Sequence, residues 1–453
     1  MSVMPEAQDQ GKSYHILTYG CQMNVRDSEV IAGLLEGCGY HSAPSPEEAS
    51  LIVFNTCSVR HSAENKVFGK LGEIAALRRK DPSKLVAFGG CMAQLAEVRQ
   101  ILKKHHVDII FGTLNIHELP GLIRRAEEGR HPVVQVWDKE GAIIEPLPSR
   151  RSGGFSAFVN IMFGCNNFCS YCIVPYTRGR ERSREAEDIV NEIRKLAEAG
   201  YKEVTLLGQN VNSYGRGLNG SVDFPDLLNM VSEIDGIERI RFTTSHPKDL
   251  SDKLIDTVAD NPRVCEHIHV AMQSGSNRIL QLMNRGYTRE HYLERALALR
   301  ERVPGVAIST DIIVGFPGES EQDFADTLDM VQKVRFDSAF TFMYSPRTGT
   351  KAAEMEDQLP VDIKRSRLHQ LTQLQYGIAL EINRSLEGNC EQVLVEGPSK
   401  TDPSRLTSRS RTNRIIIFSG PDNIAGQTIR VKITEARTFS LFGKIAEDCG
   451  LKR

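Results

Sequence analysis

Three cysteines lie close together in the stretch CNNFCSYC, at Cys165, Cys169 and Cys172. Thiolates at this spacing are typical metal ligands, but a closed zinc site needs four nitrogen or sulfur ligands, usually supplied as two C-x2-C pairs. The residues that follow, IVPYTRGR, contain no histidine that would complete a zinc site. An iron–sulfur cube usually takes four thiolates, so a cube held by three leaves one iron open to an outside ligand. We predict such a cube at these three cysteines.

A second set of three cysteines lies nearer the amino terminus. Cys21 stands in TYGCQMN, Cys57 in FNTCSVR and Cys91 in FGGCMAQ, at separations of 36 and 34 residues. Each follows a predicted strand, and the carboxyl ends of parallel strands share one edge of a sheet, where loops converge on a ligand. The pattern predicts a second cube, again with three thiolates and one open iron.

The elements around the second set predict a parallel αβα domain over 13–128. The predicted strands are short apolar runs that end at glycine or a polar turn: HILTYG (15–20), LIVFNT (51–56), LVAFGG (85–90) and VDIIFG (107–112). Helix-like stretches, SEVIAGLLEGC and ENKVFGKLGEIAALRRK, lie between them. Near-continuous apolar strands that alternate with helices predict a parallel sheet covered on both faces. We expect a linker over 129–150, which contains the single tryptophan, Trp137.

A second αβ series over 151–381 surrounds the CNNFCSYC stretch. Its predicted strands are FVNIMF (158–163), EVTLL (203–207), RIRF (239–242), HIHV (267–270), VAISTDIIV (306–314) and SAFTFM (338–343). Predicted helices cover about 185–199, 224–234, 249–260, 276–284, 289–303 and 320–333, and a long helix near 361–387 closes the series. Six βα units predict an incomplete TIM-like barrel, with its chemistry at the carboxyl ends of the strands.

The carboxyl-terminal region, 384–447, has a different pattern. Short β-rich runs separated by turn residues, CEQVLVEG, RIIIFSG, TIRVKIT and FSLFGKIA, predict a small all-β barrel. Between Pro398 and Ser440 basic residues outnumber acidic ones by five, although the whole chain has a net charge of −2. A small basic β-barrel is a reasonable RNA-binding module.

Composition predicts a cytosolic protein. Ten cysteines in 453 residues are too few for a disulfide scaffold. The sequence contains no apolar run of the roughly 18 residues that a membrane helix needs, and the polar start MSVMPEAQDQGK does not resemble a signal peptide. We expect the other cysteines, Cys38, Cys265, Cys390 and Cys449, to be small buried hydrophobic residues.

The chain resembles the methylthiotransferases, a radical S-adenosylmethionine (SAM) family with an amino-terminal cluster domain and a carboxyl-terminal TRAM domain. The resemblance extends from about residue 14 to residue 445, through the blocks TYGCQMNVRDSE, CSYCIVPYTRGRERSR, LLGQNVNSYG, TSHP, MQSGSNRIL, TDIIVGFPGE and FMYSPRTGT. It implies two 4Fe–4S clusters, with the amino and carboxylate groups of SAM on the open iron at Cys165, Cys169 and Cys172. It also implies that residues near the barrel mouth contact SAM: Tyr171, Asn210, Ser245, Gln273, Arg285 and Asp311.

The resemblance also implies contacts with RNA. In TRGRERSR, Arg178, Arg180, Arg182 and Arg184 alternate, so an extended chain would aim all four to one side, where phosphates would suit them. The usual alternative for such a charge run is a solvated face. In the tail, the candidate RNA contacts are Arg409, Arg411 and Arg414. LTSRSRTNR departs from the family here, with Ser408 and Ser410 where a Gly-Arg-Thr-like run is expected.

Within this family, CQMN and YTRGRERSR are most similar to members that act on isopentenylated adenosine beside the anticodon of tRNA. The other two substrate types are threonylcarbamoylated adenosine in tRNA and an aspartate of a ribosomal protein. The resemblance implies two SAM molecules per turnover, a one-electron reductant such as flavodoxin or ferredoxin, and iron–sulfur assembly proteins as partners. A hypothesis of a different class is an RNA-binding redox sensor. A zinc-stabilised RNA-binding protein is a further alternative.

Overall fold

The computed structural model describes residues 11–58, 61–139, 141, 143–151, 153–218, 220 and 222–446. The chain divides into two compact units. The first comprises the described part of 1–152 together with Phe163–Asn166 and Ile173–Arg182. The second comprises 153–162, Asn167–Cys172 and the described chain from Ser183 onward. Within these residues, no helix combines the length and apolar character needed to cross a membrane.

The first unit contains a six-stranded parallel sheet. Its strands are β1 Ser13–Thr18, β2 His41–Ser42, β3 Leu51–Thr56, β4 Leu85–Gly90, β5 Ile109–Phe111 and β6 Val133–Gln135. Their order across the sheet is β2-β1-β3-β4-β5-β6. The helices are α1 Gln22–Glu36, α2 His61–Lys80, α3 Ala96–Lys104 and α4 Leu119–Glu127. The predicted parallel αβα architecture is confirmed.

Alternating side chains of β3 form a core on each face of this sheet. Leu51 and Val53 pack with residues of α1 and α4, whereas Ile52 and Phe54 pack with residues of α2 and α3. All four are fully buried, as expected for a central strand covered by helices on both sides. Because helices cover both faces of the sheet, the loops at the carboxyl ends of its strands are where a site can form.

The second unit contains six parallel core strands. The six are β7 Ser156–Asn160, β10 Glu203–Leu207, β11 Arg239–Phe242, β12 His267–His269, β13 Ala307–Val314 and β14 Ser338–Met343. Two short strands, β8 Met162–Phe163 and β9 Arg182–Ser183, lie between β7 and β10 in the chain. One sheet has the order β11-β10-β7 and another the order β12-β13-β14, and β8 pairs with β9. Isolated parallel bridges from Ile240 to Val264 and from Ser245 to Val270 join the two larger sheets. The result is the predicted open barrel of six βα units.

Helices alternate with these strands in nearly the predicted places. They are α6 Ala186–Glu198, α7 Phe224–Ser232, α8 Asp252–Asp260, α9 Asn277–Leu282, α10 Arg289–Arg302, α11 Glu321–Val334 and α12 Val361–Arg384. The short helix α5 Val174–Thr177, which was not predicted, belongs to the first unit. Side-chain caps mark several of their starts, and Ser276, Thr288 and Ser320 each accept a hydrogen bond from a backbone N–H in the first turn. One hydrophobic core runs through all six strands.

The carboxyl-terminal strands close into a small barrel. They are β15 Cys390–Pro398, β16 Leu406–Ser410, β17 Ile415–Phe418, β18 Thr428–Ala436 and β19 Leu441–Ile445, in the closed order β15-β16-β17-β19-β18. The predicted all-β barrel is confirmed. β16 was not among the predicted strands. Its alternating residues Leu406, Ser408 and Ser410 are buried. The two serines can be buried because their hydroxyls have hydrogen-bond partners in the barrel.

Three details differ from the sequence prediction. β6 lies inside the predicted linker and extends the amino-terminal sheet by one strand. α1 begins at Gln22, directly after Cys21, and not near Ser28. Of the four cysteines expected to be buried, Cys265 is buried and Cys38 is half-buried, but Cys390 is half-buried and disulfide-bonded. Cys449 lies outside the described residues.

Candidate active site

Cys21, Cys57 and Cys91 follow three adjacent strands of the first unit, and none of the three is in a disulfide. Thr18 of β1 pairs with Asn55 of β3, and Thr56 of β3 pairs with Gly90 of β4, so the strands end side by side. The strand order reverses between β1 and β3, which is where open α/β sheets bind ligands. Cys21 and Cys57 flank this switch point, and Cys91 lies one strand further along.

Close backbone packing holds these loops together. A Cβ on Gly20 would lie 2.6 Å from Cβ of Cys57, and a Cβ on Gly90 would lie 2.3 Å from the carbonyl oxygen of Thr56. Both glycines have positive φ, at +146° and +90°. Only glycine combines that backbone conformation with such close approach, so these two positions bring the cysteine loops together.

Two buried asparagines that the sequence analysis missed brace the same edge. Asn24 Nδ2 donates to Asn55 Oδ1 at 3.2 Å and to the Thr56 carbonyl at 3.1 Å, and Asn55 Nδ2 donates to the Asn24 carbonyl at 2.8 Å. Asn24 Oδ1 also accepts from the Cys21 thiol at 3.4 Å. Their signal was visible in the sequence, since each lies within three residues of a predicted ligand.

The arginines of TRGRERSR do not share one side, so that expectation is wrong. Arg178 is buried, and its guanidinium donates to Asp27 Oδ2 at 2.8 Å. Arg180 is exposed, whereas Arg182 donates to the Gly141 carbonyl at 2.6 Å. Arg184 is buried with the carboxylate of Glu192. A helical turn and short strand replace the expected extended run, and different acceptors draw the arginines apart.

Cys165, Cys169 and Cys172 lie in the loop that follows β7 and β8, and none of them is in a disulfide. Cys165 N–H donates to the Gly179 carbonyl at 3.1 Å, and Cys172 N–H donates to the Cys169 carbonyl at 2.9 Å. Among the described residues, no group of three or more His, Cys, Asp or Glu side chains lies close enough together for a single metal ion. Thiols that share a cube each bind a different iron, so they need not converge on one point.

Arg285 connects the loop of Cys169 to the strands of the second unit. Its Nη1 lies 3.3 Å from Cys169 Sγ and 3.5 Å from the Tyr171 hydroxyl, while Nη2 donates to the Ala271 carbonyl at 2.8 Å. Burial lowers the pKa of this guanidinium, but Tyr171, Tyr287 and Cys169 raise it well above the ordinary value. The structure therefore brings two predicted site residues, Cys169 and Tyr171, next to the positive charge of a third, Arg285.

Several buried polar atoms near the carboxyl ends of β11 and β12 have no hydrogen-bond partner among the described residues. They include Ser245 Oγ and Gln273 Oε1, both predicted SAM contacts, and His246 Nε2. Gln273 also has φ of +66°, a conformation that favours glycine and costs free energy for other residues, and such strained residues cluster at functional sites. Buried polar groups normally have partners, so these atoms fit a polar ligand.

His246 was missed as a site residue, although TSHP was among the family blocks. Burial lowers the pKa of its imidazole to about 2, and the charge of Arg285 adds to the effect. The ring is therefore neutral. Because Nδ1 accepts the Lys248 N–H at 3.3 Å, the proton is on Nε2, which becomes an unsatisfied donor. Asn160, at the end of β7, has an unpartnered Oδ1 and was missed as well.

The remaining two predicted SAM contacts have protein partners. Asn210 Nδ2 donates to Asp249 Oδ2 at 2.8 Å, and its Oδ1 accepts the His246 N–H at 3.2 Å. Both halves of this amide are occupied in bracing the loops after β10 and β11. Asp311 lies within β13, where Oδ2 is 3.4 Å from His269 Nε2. His269 is a further polar residue that the sequence analysis did not single out.

The barrel arginines predicted to contact RNA are engaged within the second unit. Arg411 Nη2 and Nε lie 2.6 and 2.8 Å from the carboxylate oxygens of Glu266. Arg414 pairs with Asp337 and donates to Asn383 Oδ1 at 3.2 Å. Arg409 pairs with Glu396 at 2.7 Å and is more exposed. We call the contacts of Arg411 with Glu266 and of Arg414 with Asp337 the barrel latch.

Comparison with known proteins agrees with this architecture. A Radical SAM superfamily model matches 159–331, an Uncharacterized protein family UPF0004 model matches 13–112, and a TRAM domain model matches 384–446. A radical SAM methyltransferase from Kitasatospora setae, solved with cobalamin and a [4Fe-4S] cluster, has a similar fold. Its TM-score is 0.56 at 15% identity, over 76% of this chain and 74% of that one.

Two curated relatives are much more similar. A tRNA-2-methylthio-N(6)-dimethylallyladenosine synthase from Syntrophomonas wolfei is 66% identical over 98% of this chain and 99% of its own length. An enzyme of the same name from Carboxydothermus hydrogenoformans is 54% identical over 95% and 99%. The fold and the cysteine loop after β7 are those of a radical SAM enzyme, which implies a 4Fe–4S cluster and SAM as cofactors. The chain belongs to the tRNA-2-methylthio-N(6)-dimethylallyladenosine synthase family.

Proposed function

We propose that this enzyme adds a methylthio group to carbon 2 of N6-dimethylallyladenosine in tRNA. The observation that carries the proposal is the presence of two sets of three cysteines, none of them in a disulfide, each at the carboxyl ends of parallel strands. The names of the relatives that share nearly the whole chain support the same substrate. Because the substrate is tRNA, we place the reaction in the cytoplasm.

The two cysteine sets have separate roles in this proposal. Cys165, Cys169 and Cys172 hold one 4Fe–4S cluster, and Cys21, Cys57 and Cys91 hold a second. When bound, the cofactors supply hydrogen-atom abstraction and the methylthio group. Hydrogen-atom abstraction is required because the C–H bond at carbon 2 has no useful acidity. One SAM is converted to 5′-deoxyadenosine and another to S-adenosylhomocysteine. A one-electron reductant such as flavodoxin or ferredoxin supplies the electrons, and iron–sulfur assembly proteins load the clusters.

The residues at the second-unit site bind and orient SAM. Ser245 Oγ, His246 Nε2 and Gln273 Oε1 present two donors and one acceptor to a polar ligand, while Arg285 holds the loop of Cys169 and Tyr171 against the strands. Asn210 positions the loop that carries His246. Asp311 stays a predicted contact. We propose that the chain is divided into an amino-terminal domain over 13–128, a linker over 129–150, a radical SAM core over 151–381 and a TRAM domain over 384–447.

The nucleosides of cellular tRNA test the proposed substrate. Cells that lack the gene should lose 2-methylthio-N6-dimethylallyladenosine and accumulate N6-dimethylallyladenosine, as measured by mass spectrometry of digested tRNA. Loss of a methylthio group from threonylcarbamoyladenosine, or from a ribosomal aspartate, with the dimethylallyl nucleoside unchanged, would instead identify one of the other two substrate types.

Ser245→Ala is expected to weaken SAM binding without destabilising the fold. The Ser245 hydroxyl has no protein partner to lose, so its removal leaves no unsatisfied group in the free enzyme. Loss of one hydrogen bond to a charged ligand corresponds to roughly 1.5 kcal/mol, or about a tenfold higher Kd. Calorimetric titration of the anaerobically reconstituted protein measures this. Ser408→Ala is the matched control, because its buried hydroxyl donates to the Ile416 carbonyl at 2.9 Å and it should lower Tm alone.

We further propose that tRNA phosphates contact exposed lysines on the outer face of the barrel. Lys432 of β18 and Lys444 of β19 are directly paired across the two antiparallel strands, and both are exposed. Like charges placed opposite each other on neighbouring strands are unfavourable unless an anion lies between them. Arg405 and Arg437 lie over the ring of Phe442 on β19, at 5.8 and 4.5 Å from its centre. Positive charge beside an aromatic ring is typical of a surface that binds RNA.

This surface and the barrel latch respond differently to mutation. Lys432→Ala with Lys444→Ala should weaken tRNA binding and flatten its dependence on salt by about one unit of slope for each phosphate that the barrel no longer binds. Arg411→Gln should lower stability by roughly 1–3 kcal/mol, because it leaves Glu266 partly buried without its partner, but should not change the slope. Binding measured by filter retention at several salt concentrations separates the two. If only Arg411→Gln flattened the slope, the assignment of Arg409, Arg411 and Arg414 to RNA would stand.

A further inference from the structure

Arg178 lies inside the first unit although it follows the cysteine loop of the core by only six residues. The segment Ile173–Arg182 packs with the amino-terminal sheet, and α5 contacts the turn Cys91–Gln94. The Thr113 hydroxyl donates to the Thr177 carbonyl and fixes the residue before Arg178. With only 7% of its side chain exposed, Arg178 cannot meet a tRNA phosphate without leaving this position.

The surroundings of the buried Arg178 guanidinium combine one carboxylate with two cysteine thiols. One carboxylate, Asp27, lies 2.8 Å away and is equally buried, at 7% exposure. The helix α5, directly before Arg178, contacts the turn Cys91–Gln94. Burial raises the pKa of the Cys91 thiol, and the nearby Arg178 guanidinium opposes that effect. Cys21 also lies near enough to contribute to the raised pKa of Arg178. A buried charge needs compensation, and the Asp27 carboxylate alone would neutralise the guanidinium. Two cysteine thiols therefore lie within the field of an arginine that already has a counter-ion.

We propose that Arg178 is a positioning residue for the amino-terminal cysteine site. Its guanidinium donates to the Cys91 sulfur and offsets the thiolate charge of a bound iron–sulfur cluster, while Asp27 orients the guanidinium. This inference rests on the proposed function, because it assumes that Cys21, Cys57 and Cys91 hold a cluster. It goes beyond that function because it gives the site of Cys21, Cys57 and Cys91 a fixed positive charge, Arg178. This arginine follows Cys172 of the other cysteine set by six residues.

A positive charge and an N–H donor beside a cluster favour its reduced, more negative state. Net charge and hydrogen bonds to the sulfurs are among the properties that set cluster reduction potentials. Removing the guanidinium should thus lower the potential of this cluster. Removing the Asp27 charge should raise it, because the field of Arg178 is then uncompensated. The two substitutions therefore act in opposite directions, which a general loss of structure would not produce.

The test uses a full-length chain in which Cys165, Cys169 and Cys172 are alanine, so that the amino-terminal site is the iron site under observation. Arg178→Gln, Asp27→Asn and the control Arg180→Gln, an exposed arginine two residues further on, are added singly. Each protein is reconstituted anaerobically, its iron is counted, and its midpoint potential is measured by spectroelectrochemical titration. We expect Arg178→Gln to shift the ratio of reduced to oxidised cluster about tenfold toward oxidised, which is about 59 mV for one electron. Asp27→Asn should shift it the other way, and Arg180→Gln should leave it unchanged.

Two results would overturn the proposal. Unchanged potentials in both variants, with iron bound, would show that Arg178 does not act on the cluster, although the cluster itself would stand. An iron-free parent chain with folding intact would refute the cluster assignment and the proposed function together. If Arg178→Gln does not fold, Asp27→Asn still decides the question, because a lowered or unchanged potential contradicts the expected sign.

Discussion

Cys21→Ala should abolish formation of the methylthio product while reductive cleavage of SAM continues. Cys21 belongs to the amino-terminal set, which is built on β1, β3 and β4 of the first unit, whereas the contacts predicted for SAM lie in the second unit. If the amino-terminal cluster holds the sulfur, its loss stops the transfer and not the cleavage. Anaerobic assays with dithionite should detect 5′-deoxyadenosine but no 2-methylthio nucleoside in dimethylallylated tRNA.

Cys38→Ala is the matched control, because Cys38 is a free, half-buried thiol of the same unit that packs against the sheet core and belongs to neither set. It should leave both products unchanged. Methylthiolation by Cys21→Ala at the rate of the unmodified enzyme would show that the amino-terminal site is not the sulfur carrier.

Cys169→Ala should have the complementary effect and abolish 5′-deoxyadenosine. Cys169 is the most buried of Cys165, Cys169 and Cys172 and accepts a hydrogen bond from Arg285. Its loss therefore removes both a proposed iron ligand and the partner of a buried charge. Methyl transfer from SAM to the sulfur at the other site should survive, and S-adenosylhomocysteine measured by mass spectrometry would reveal it.

Iron content checks the independence of the two sites. Alanine in place of either complete set should leave about half of the iron, since each of the two proposed cubes would hold four irons. Cys265→Ala, which removes a buried free thiol outside both sets, should leave the iron content unchanged. If either triple variant loses all its iron while it stays folded, the two sets form one site and the separation of roles fails.

The strands were the most predictable part of this fold. Leu51–Thr56, Leu85–Gly90, Glu203–Leu207, Arg239–Phe242 and Ser338–Met343 have the predicted bounds. Short runs of mostly apolar residues that stop at glycine or a polar turn carry this information locally. β6 was missed because it is short: three residues, Val133, Val134 and Gln135, pair with β5. β16 was missed because its polar alternation, LTSRS, resembles a loop until the barrel supplies partners for Ser408 and Ser410.

The cysteines of the candidate site were predictable, because their spacing and their place after strands are properties of the sequence. The surroundings of Arg178 and Arg411 were not. Arg178 pairs with a carboxylate 151 residues earlier, and Arg411 with one 145 residues earlier. In the sequence, a basic residue that binds an RNA phosphate cannot be distinguished from one that pairs with an aspartate far away in the chain. Only tertiary structure separates these cases, and it shows that Arg178, Arg411 and also Arg414, all expected RNA contacts, form internal ion pairs.

The barrel latch also has a consequence for how RNA is captured. α12 ends at Arg384 and β15 begins at Cys390, so a connection of only five residues, together with the latch, fixes the barrel on the strands of the second unit. Once one part of a tRNA binds the barrel, the second contact becomes intramolecular, at an effective concentration set by the stiffness of the connection. A latched barrel then acts as a rigid arm of constant reach, and the distance between anchor and target on the RNA becomes a criterion for substrate selection.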